Sequence, residues 1–572
     1  MTSMISTALR DTFRQGYDLS RLRKDILAGM TVGIVALPLS MGLAIASGVA
    51  PEYGLYTAIV AGFLIALTGG SRVNISGPTA AFVVILLPIT AKYGAGGLAV
   101  ATLMAGLILM IMGLCRLGRL IEYVPYPVTI GFTSGIAVVI ASLQLKDFFG
   151  LSHITIPEHF FLRISTIATS LPQLSIWDTL IAVITLGVFL IWKRLKTSVP
   201  PHLPALLIGA GTAWLVLNNI DGTTIATIGS KFSWDVDGVS GTGIPPVAPR
   251  FILPWHLPDA SGRPIGISFE LIRELMTSAF AIAMLGALES LLCAVVADGM
   301  TRTRHHSNGE LIGQGIGNLV APFFGGIPAT AAIARTATSI RSGATSPIAS
   351  IVHGVFVLLA VLLLAPLLAH IPMASLAALL LMVAWNMSEA HHFVRIVRVA
   401  PREDIAVLLT CFGLTVIFDM VIAVTIGMLL AGLLLIQRIS NLSTVNLYSA
   451  KEPNESINLP SSIAIYDING PLFFGAAQKA LNALQKTDDH IQVMILDMTD
   501  VNMLDMTALV AVENILMDMQ KRNIGLVLNG VQPRLLLKMR KAGIRRQKNN
   551  IAFGRNMQES SQHALTHLVS RQ

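Results

Sequence analysis

The chain has 572 residues, too many for one soluble domain, and its hydrophobic fraction of 53% with 13% charged residues is too apolar for several, since soluble domains average about 25% charge. A mean hydropathy of +0.69 assigns most of the chain to lipid and excludes a nucleic-acid-binding, disordered or secreted disulfide-bonded protein. The net charge of +8 fits the Lys and Arg that cytoplasmic loops of membrane proteins collect.

Arg21, Arg23 and Lys24 precede a first apolar run of about 26 residues, enough to span ~30 Å of hydrocarbon and too long for a cleavable signal. Residues 1–24 are then a cytoplasmic segment, and Asp25 reads as the N-cap of the first transmembrane helix. Further apolar runs follow at residues 54–71, 77–91, 96–115, 124–145, 176–192, 203–219, 272–297, 309–323, 328–340, 347–369, 373–388, 405–418 and 420–437. With the first run they make fourteen. Residues 342–388 contain no Asp, Glu, Lys or Arg and break at Ala369-His370-Ile371-Pro372, so two spans fit there.

Alternate turns are basic: Arg116 and Arg119; Lys193, Arg194 and Lys196; Arg302 and Arg304; Arg395, Arg398 and Arg402; Arg438. By the positive-inside rule both termini are expected in the cytoplasm, and the longer turns at 146–175 and 220–270 suit the outer face. The transmembrane domain is expected at residues 25–438. A polar linker at 439–460 leads to a cytoplasmic α/β domain at 461–572, with strands near 463–466, 493–496 and 525–528 and helices near 475–486, 503–521 and 533–542. The three cysteines, Cys115, Cys293 and Cys411, all sit in apolar runs, and no disulfide is expected.

Two segments open alike, Ser76-Gly77-Pro78-Thr79-Ala80-Ala81 and Ile327-Pro328-Ala329-Thr330-Ala331-Ala332, each an extended lead with a half-helix begun at proline. One is third in the first seven spans and the other third in the second seven. Because seven is odd the two sets are inverted, and paired Gly/Pro-interrupted segments in matching positions point to a transport site. Two half-helix N-termini, each with about +0.5 charge and free N–H groups, build an anion site from Gly77, Pro78, Thr79, Ala80, Ala329, Thr330 and Ala331. Thr79 and Thr330 then lie in first helical turns.

Glu289 stands in the middle of the eighth span, where an acid costs about 2.5 to 3.5 kcal/mol; it reads as a proton carrier, a cation ligand or the partner of a basic side chain. Arg335, four residues after Ala331, reads as that partner, as a substrate ligand, or as a side chain snorkelling to the cytoplasm. His353 reads as a satisfied packing residue, and Asp419 falls at a tight outer turn. No Walker loop, metal spacing or Ser/His/Asp grouping is present, so no enzyme activity, metal or cofactor is expected.

The run Pro51-Glu52-Tyr53-Gly54-Leu55-Tyr56, the Ser76-Gly77-Pro78-Thr79 half-helix, Glu289-Ser290-Leu291-Leu292 and Ala334-Arg335-Thr336-Ala337 together resemble the SulP family of anion transporters, the bacterial relatives of the solute carrier 26 proteins. The tail, with Gly470-Pro471-Leu472-Phe473-Phe474 and Asp505-Met506-Thr507-Ala508-Leu509, is similar to the STAS domain. The resemblance implies an α-helical polytopic membrane protein with fourteen transmembrane segments in a seven-plus-seven inverted repeat, a core moving against a gate, a cytoplasmic STAS domain, and a homodimer in a bacterial inner membrane. Residues 287–296 and 381–391 are most similar to the family's C4-dicarboxylate transporters.

Three departures matter. Leu39 follows Pro38 where many members carry glutamine. Glu289 stands where sodium-coupled bicarbonate members carry aspartate, which favours protons as the coupling ion. Asp505-Met506-Thr507-Ala508 replaces the usual Asp-Ser-Ser/Thr-Gly, leaving Thr507 as the regulatory phosphorylation candidate. The expected function is proton-coupled uptake of succinate, aspartate or fumarate. Alternatives are a sulfate or bicarbonate transporter or exchanger, an anion channel, or a membrane sensor whose STAS domain engages a cytoplasmic partner.

Overall fold

The computed structural model describes residues 4–570 apart from 122–123, 196, 198, 419, 443, 449–458, 471, 473–489 and 548–549, and the chain divides into two compact units, Met1–Met428 and Leu429–Gln572. Asp419 and the helix expected at 475–486 lie outside the described residues.

In the first unit, α1 (Thr7–Arg14) precedes α2 (Leu19–Ala46). The N-cap of α2 is Asp18, which accepts a hydrogen bond from Arg21 N at 2.8 Å, so Arg21, Arg23 and Lys24 belong to the helix. Asp25 is therefore not a cap. It is fully buried and accepts hydrogen bonds from the Tyr17 hydroxyl and from the N–H and hydroxyl groups of Thr345 and Ser346. Burial, and then the bond to Asp25, pushes the Tyr17 phenol up to about 12, which keeps it a donor at any physiological pH.

Helix α3 (Pro51–Thr68) starts on a proline that needs no N–H partner. The extended pair β1 (Ser76–Gly77) leads into α4 (Ala80–Leu114). This 35-residue helix holds two spans, because Gly94 takes φ 67° and ψ −170°, open to glycine and strained for other residues. A Cβ there would also stand 2.4 Å from the carbonyl carbon of Asp259.

The first half closes with α5 (Gly118–Ile121), α6 (Tyr126–Phe148), α7 (Phe160–Ser170), α8 (Ile176–Arg194) and α9 (His202–Asn219). The long turn that follows contains α10 (Ile228–Lys231) and the hairpin of β2 (Ser233–Val236) with β3 (Val239–Thr242). The second half runs through α11 (Phe269–Thr301), α12 (Ser307–Val320), β4 (Thr330–Ala331), α13 (Ile333–Arg341), α14 (Ile348–Leu368), α15 (Met373–Met387), α16 (Ala390–Val399), α17 (Arg402–Ile417) and α18 (Met420–Leu442). Nine helices among the described residues are long and apolar enough to cross a bilayer. Dividing α4 at Gly94 and adding the shorter or more polar α9, α12, α13 and α17 gives fourteen segments, seven in each half.

Non-helical backbone before α4 and α13 must find hydrogen-bond partners inside the protein, because lipid offers none. Helix α12 supplies them from one face, with Glu310, Gln314 and Asn318 spaced by four residues and all buried. The Glu310 carboxylate accepts from Gly70 N at 3.0 Å and Ser71 N at 2.9 Å, and from the Asn74 and Gln314 amides at 3.1 Å each. Gln314 also donates to the Ser76 hydroxyl at 3.1 Å. Asn318 closes both backbone groups of Ala329, accepting from its N–H and donating to its C=O at 2.8 Å each. Glycine lets α12 come this close, since a Cβ at Gly313 would lie 2.5 Å from Gly69 Cα.

In the second unit the strand order is β5 (Thr444–Tyr448), β6 (Ile463–Asn469), β7 (Val493–Asp497), β8 (Gly525–Asn529) and β9 (Ile551–Gly554). The four strands from β6 to β9 are parallel, and β5 pairs antiparallel with β6. The stretch expected to be a polar linker thus contributes an edge strand. Helices α19 (Met506–Lys521), α20 (Pro533–Lys541) and α21 (Met557–Val569) cover the sheet. Met494, Leu496 and Leu526 face Val512, Ile515 and Met519 of α19, whereas Val493, Ile495 and Val527 face Ala564 and Leu568 of α21. Burial on both faces explains why β7 and β8 read as unbroken apolar runs.

Two predictions concern the membrane unit. Asp25→Ala leaves several buried donors without an acceptor and is expected to lower stability by about 2–3 kcal/mol, read as a lower unfolding temperature in detergent; an unchanged midpoint would show that the cluster contributes nothing. Glu310→Ala is expected to cost at least as much and also to abolish anion binding, because it releases the Gly70–Ser71 backbone; wild-type binding by this variant would disconnect α12 from the site.

Candidate functional site

The two extended leads form a two-stranded antiparallel pair, with Ser76 opposite Ala331 and Gly77 opposite Thr330. Ala332 N extends the pair by donating to Ile75 O at 3.0 Å, and Ile75 N donates to the Thr336 hydroxyl at 3.0 Å. Antiparallel pairing sends α4 and α13 away from opposite ends of the ladder, so their N-termini face inward. Thr79 caps α4 and Ala332 caps α13, and neither N-terminus receives a side-chain cap. The first amides of both helices are the donors that helical bonding leaves over.

Helix α11 borders the pair with Gly286 and Glu289, three residues apart and so on one face. The Thr330 hydroxyl donates to Gly286 O at 2.9 Å, and the Thr79 hydroxyl donates to Glu289 Oε2 at 3.0 Å. Glu289 is partly accessible. On the other side Arg335 Nη2 donates to the Pro78 carbonyl. Arg335 is 3% exposed, and its Nη1 has no hydrogen-bond partner in the protein; a Cβ on Gly77 would stand 2.9 Å from it.

Gly77, Pro78, Thr79 and Ala80 thus lie together at the start of α4, all buried. Pro78 precedes the extended Thr79 cap rather than opening α4, and Thr79 stands before the first turn rather than in it; the second set departs further from expectation. Pro328 does not open the half-helix, which begins at Ile333, because Thr330 and Ala331 are drawn into the ladder and Ala329 is held by Asn318. Thr330 is therefore a strand residue with its hydroxyl engaged, and the Ala329 amide is occupied. Arg335 lies in the first turn of α13, and it neither snorkels nor forms an ion pair with Glu289 within 4.0 Å. His353, expected to be satisfied, has neither ring nitrogen hydrogen-bonded by the protein. Thr507 is exposed in the first turn of α19, which Asp505 caps by accepting from Ala508 N at 2.7 Å.

Glu310, Gln314, Asn318, Asn74 and Thr336 were not expected at the site. The first three carried a readable signal, polar residues every fourth position in a stretch, residues 309–320, otherwise made of glycine and aliphatic side chains.

Residues 22–410 match the sulfate permease family and residues 456–558 the STAS domain. The candidate sulfate transporter YvdB of Bacillus subtilis is 40% identical over 534 residues, 93% of this chain and 95% of that protein. A bicarbonate transporter, BicA of Picosynechococcus sp., is 30% identical over 518 residues, 86% of each. The solved transmembrane domain of a cyanobacterial BicA is 27% identical with a TM-score of 0.59, covering 73% of this chain and 98% of that one. Murine solute carrier 26 family member A9, an anion transporter solved in an inward-facing state, has a TM-score of 0.82 over 98% of this chain and 94% of its own; at 16% identity this likeness is one of fold. These relatives carry sulfate and bicarbonate names where residues 287–296 and 381–391 led to C4-dicarboxylates. Fourteen segments, the paired half-helices and the two matched regions agree: the chain belongs to the sulfate permease family, the SulP and solute carrier 26 anion transporters, and carries a STAS domain after its membrane segments.

Proposed function

We propose that the chain is a secondary transporter of a small oxyanion of the sulfate or bicarbonate class, bound where α4 and α13 begin. The observation that carries this reading is the β1–β4 ladder, which holds two uncapped helix N-termini toward one place with the free Nη1 of Arg335 beside them. Each N-terminus contributes about half a positive charge, and the guanidinium adds a directed donor fork. Gly77, Pro78, Thr79, Ala80, Ala331 and Arg335 surround the anion, while Ala329 and Thr330 brace the ladder. The names of YvdB and BicA support an inorganic anion; the wording at 287–296 and 381–391 supports succinate as the rival substrate.

Glu289 is the coupling residue in this reading. A carboxylate bonded to the cap of α4 opposes an anion at the same helix end when ionised and ceases to do so when protonated, so anion and proton bind together. The segment at 25–438 performs transport as a homodimer in a bacterial inner membrane with both termini cytoplasmic, as the basic turns favour. The STAS domain at 461–572, joined through 439–460, regulates turnover through a cytoplasmic partner or modification of Thr507.

Full-length protein in liposomes tests the substrate. Radiolabelled sulfate, bicarbonate and succinate are offered separately under an inward proton or sodium gradient. Accumulation of sulfate or bicarbonate driven by the proton gradient is expected; accumulation of succinate alone would return the dicarboxylate reading, and sodium dependence would remove protons as the coupling ion. Glu289→Gln is expected to abolish pH-driven accumulation while preserving exchange down an anion gradient, because the amide resembles the protonated acid and cannot release a proton. Concentrative uptake by this variant would exclude Glu289 as the carrier.

A further inference from the structure

His353 lies in α14 with 0% exposure, and no protein group hydrogen-bonds its Nδ1 or Nε2. Its ring faces a strip of small residues on α3. A Cβ built on Gly62 would stand 4.0 Å from His353 Nδ1 and 3.0 Å from Ser76 O. One turn earlier on the same face, Ala58 Cα lies 3.6 Å from a Cβ built on Gly77, and that Cβ would stand 2.9 Å from Arg335 Nη1. Residues 58 and 62 are helical neighbours at i and i+4, so the β1 backbone, the guanidinium and the imidazole converge over one strip of α3.

A buried guanidinium N–H without an acceptor is costly, more so than a neutral donor. Over the same strip of α3 lie two acceptors, the Ser76 carbonyl and, in the neutral imidazole, one ring nitrogen. A water accepts from one donor and donates twice, and it needs two to four polar partners to occupy a protein interior. Gly62 contributes no side chain to this strip, and the Ser76 carbonyl and His353 Nδ1 both border the position that one would take. We propose that His353 is a positioning residue for Arg335: its unprotonated ring nitrogen anchors a buried water that receives one of the two N–H bonds of Arg335 Nη1 and holds the guanidinium against the Pro78 carbonyl, with the other N–H left for the anion. This rests on the reading of Arg335 as an anion ligand.

The test compares full-length variants in liposomes by initial rates of sulfate, bicarbonate and succinate uptake, following whichever of the three the wild type transports. His353→Phe keeps a ring of similar size and removes both nitrogens. Its KM is expected to rise roughly tenfold with little change in kcat, the order of a lost hydrogen bond to a charged group. His353→Gln, which restores an acceptor, is expected to recover most of the affinity. In an Arg335→Lys background the His353→Phe change should have little further effect, since residues acting through one another are not additive. Unfolding temperatures are measured throughout, and His353→Met replaces the phenylalanine variant if that one does not fold.

A wild-type KM in folded His353→Phe, failure of glutamine to rescue, or additivity with Arg335→Lys would each overturn the inference. The underlying reading fails separately: if Arg335→Lys alone leaves KM unchanged, Arg335 is not an anion ligand. If Arg335→Lys weakens binding and His353→Phe does not, only the role of His353 falls.

Discussion

Unpaired backbone cannot persist at membrane depth, and the rest of this structure is arranged around two places where the chain crosses without helical hydrogen bonds. An amide or carbonyl left bare in hydrocarbon costs several kcal/mol, which no packing nearby offsets. The solution is reciprocal. Each crossing supplies part of the other's pairing through β1 and β4, and the polar face of α12 closes what remains at Gly70, Ser71 and Ala329. The same demand explains why glycine and polar residues alternate in α12: the polar side chains reach only if the helix axis lies against the leads.

Once the leads are fixed, the charges are fixed with them. Pro78 and Thr79 are consecutive residues, yet one ties Arg335 and the other ties Glu289. The two charges are held by separate hydrogen bonds rather than against each other. A direct ion pair would cancel the field that the uncapped helix ends create. The turn between β1 and α4 thus works as a spacer, and its proline contributes a carbonyl while needing no N–H partner of its own.

Much of this was legible in the sequence where the signal is local. Apolar runs and basic turns gave the spans, because length and charge act span by span, and the two Gly/Pro openings marked the crossings. Helix starts failed where distant partners decide them. Pro328 has the local signature of a first-turn residue, but the competing pairings of Ala329, Thr330 and Ala331 come from elsewhere in the chain. Asp25 looks like a cap beside its basic neighbours, and its actual donors at Thr345 and Ser346 are some 320 residues away. Some local signals went unread. The polar–apolar alternation of Thr444-Val445-Asn446-Leu447 has the period of a strand, and Asp237-Gly238, both at positive φ, is a hairpin turn of the common two-residue kind.

The span of sequence between Gly70 and Glu310 has a consequence for biogenesis. The carboxylate that satisfies Gly70 and Ser71 is encoded 240 and 239 residues later. At the usual pace of synthesis, about 5–20 residues per second, the ribosome needs on the order of 10 to 50 seconds to deliver it. During that interval the first half of the protein holds a crossing whose amides have no designed partner. The nascent chain must keep residues 69–79 at the interface, inside the insertion machinery or under a chaperone until α12 arrives. Assembly of the two halves is then the step that seats the crossing in the bilayer, and quality control of this protein has a defined window in which to act.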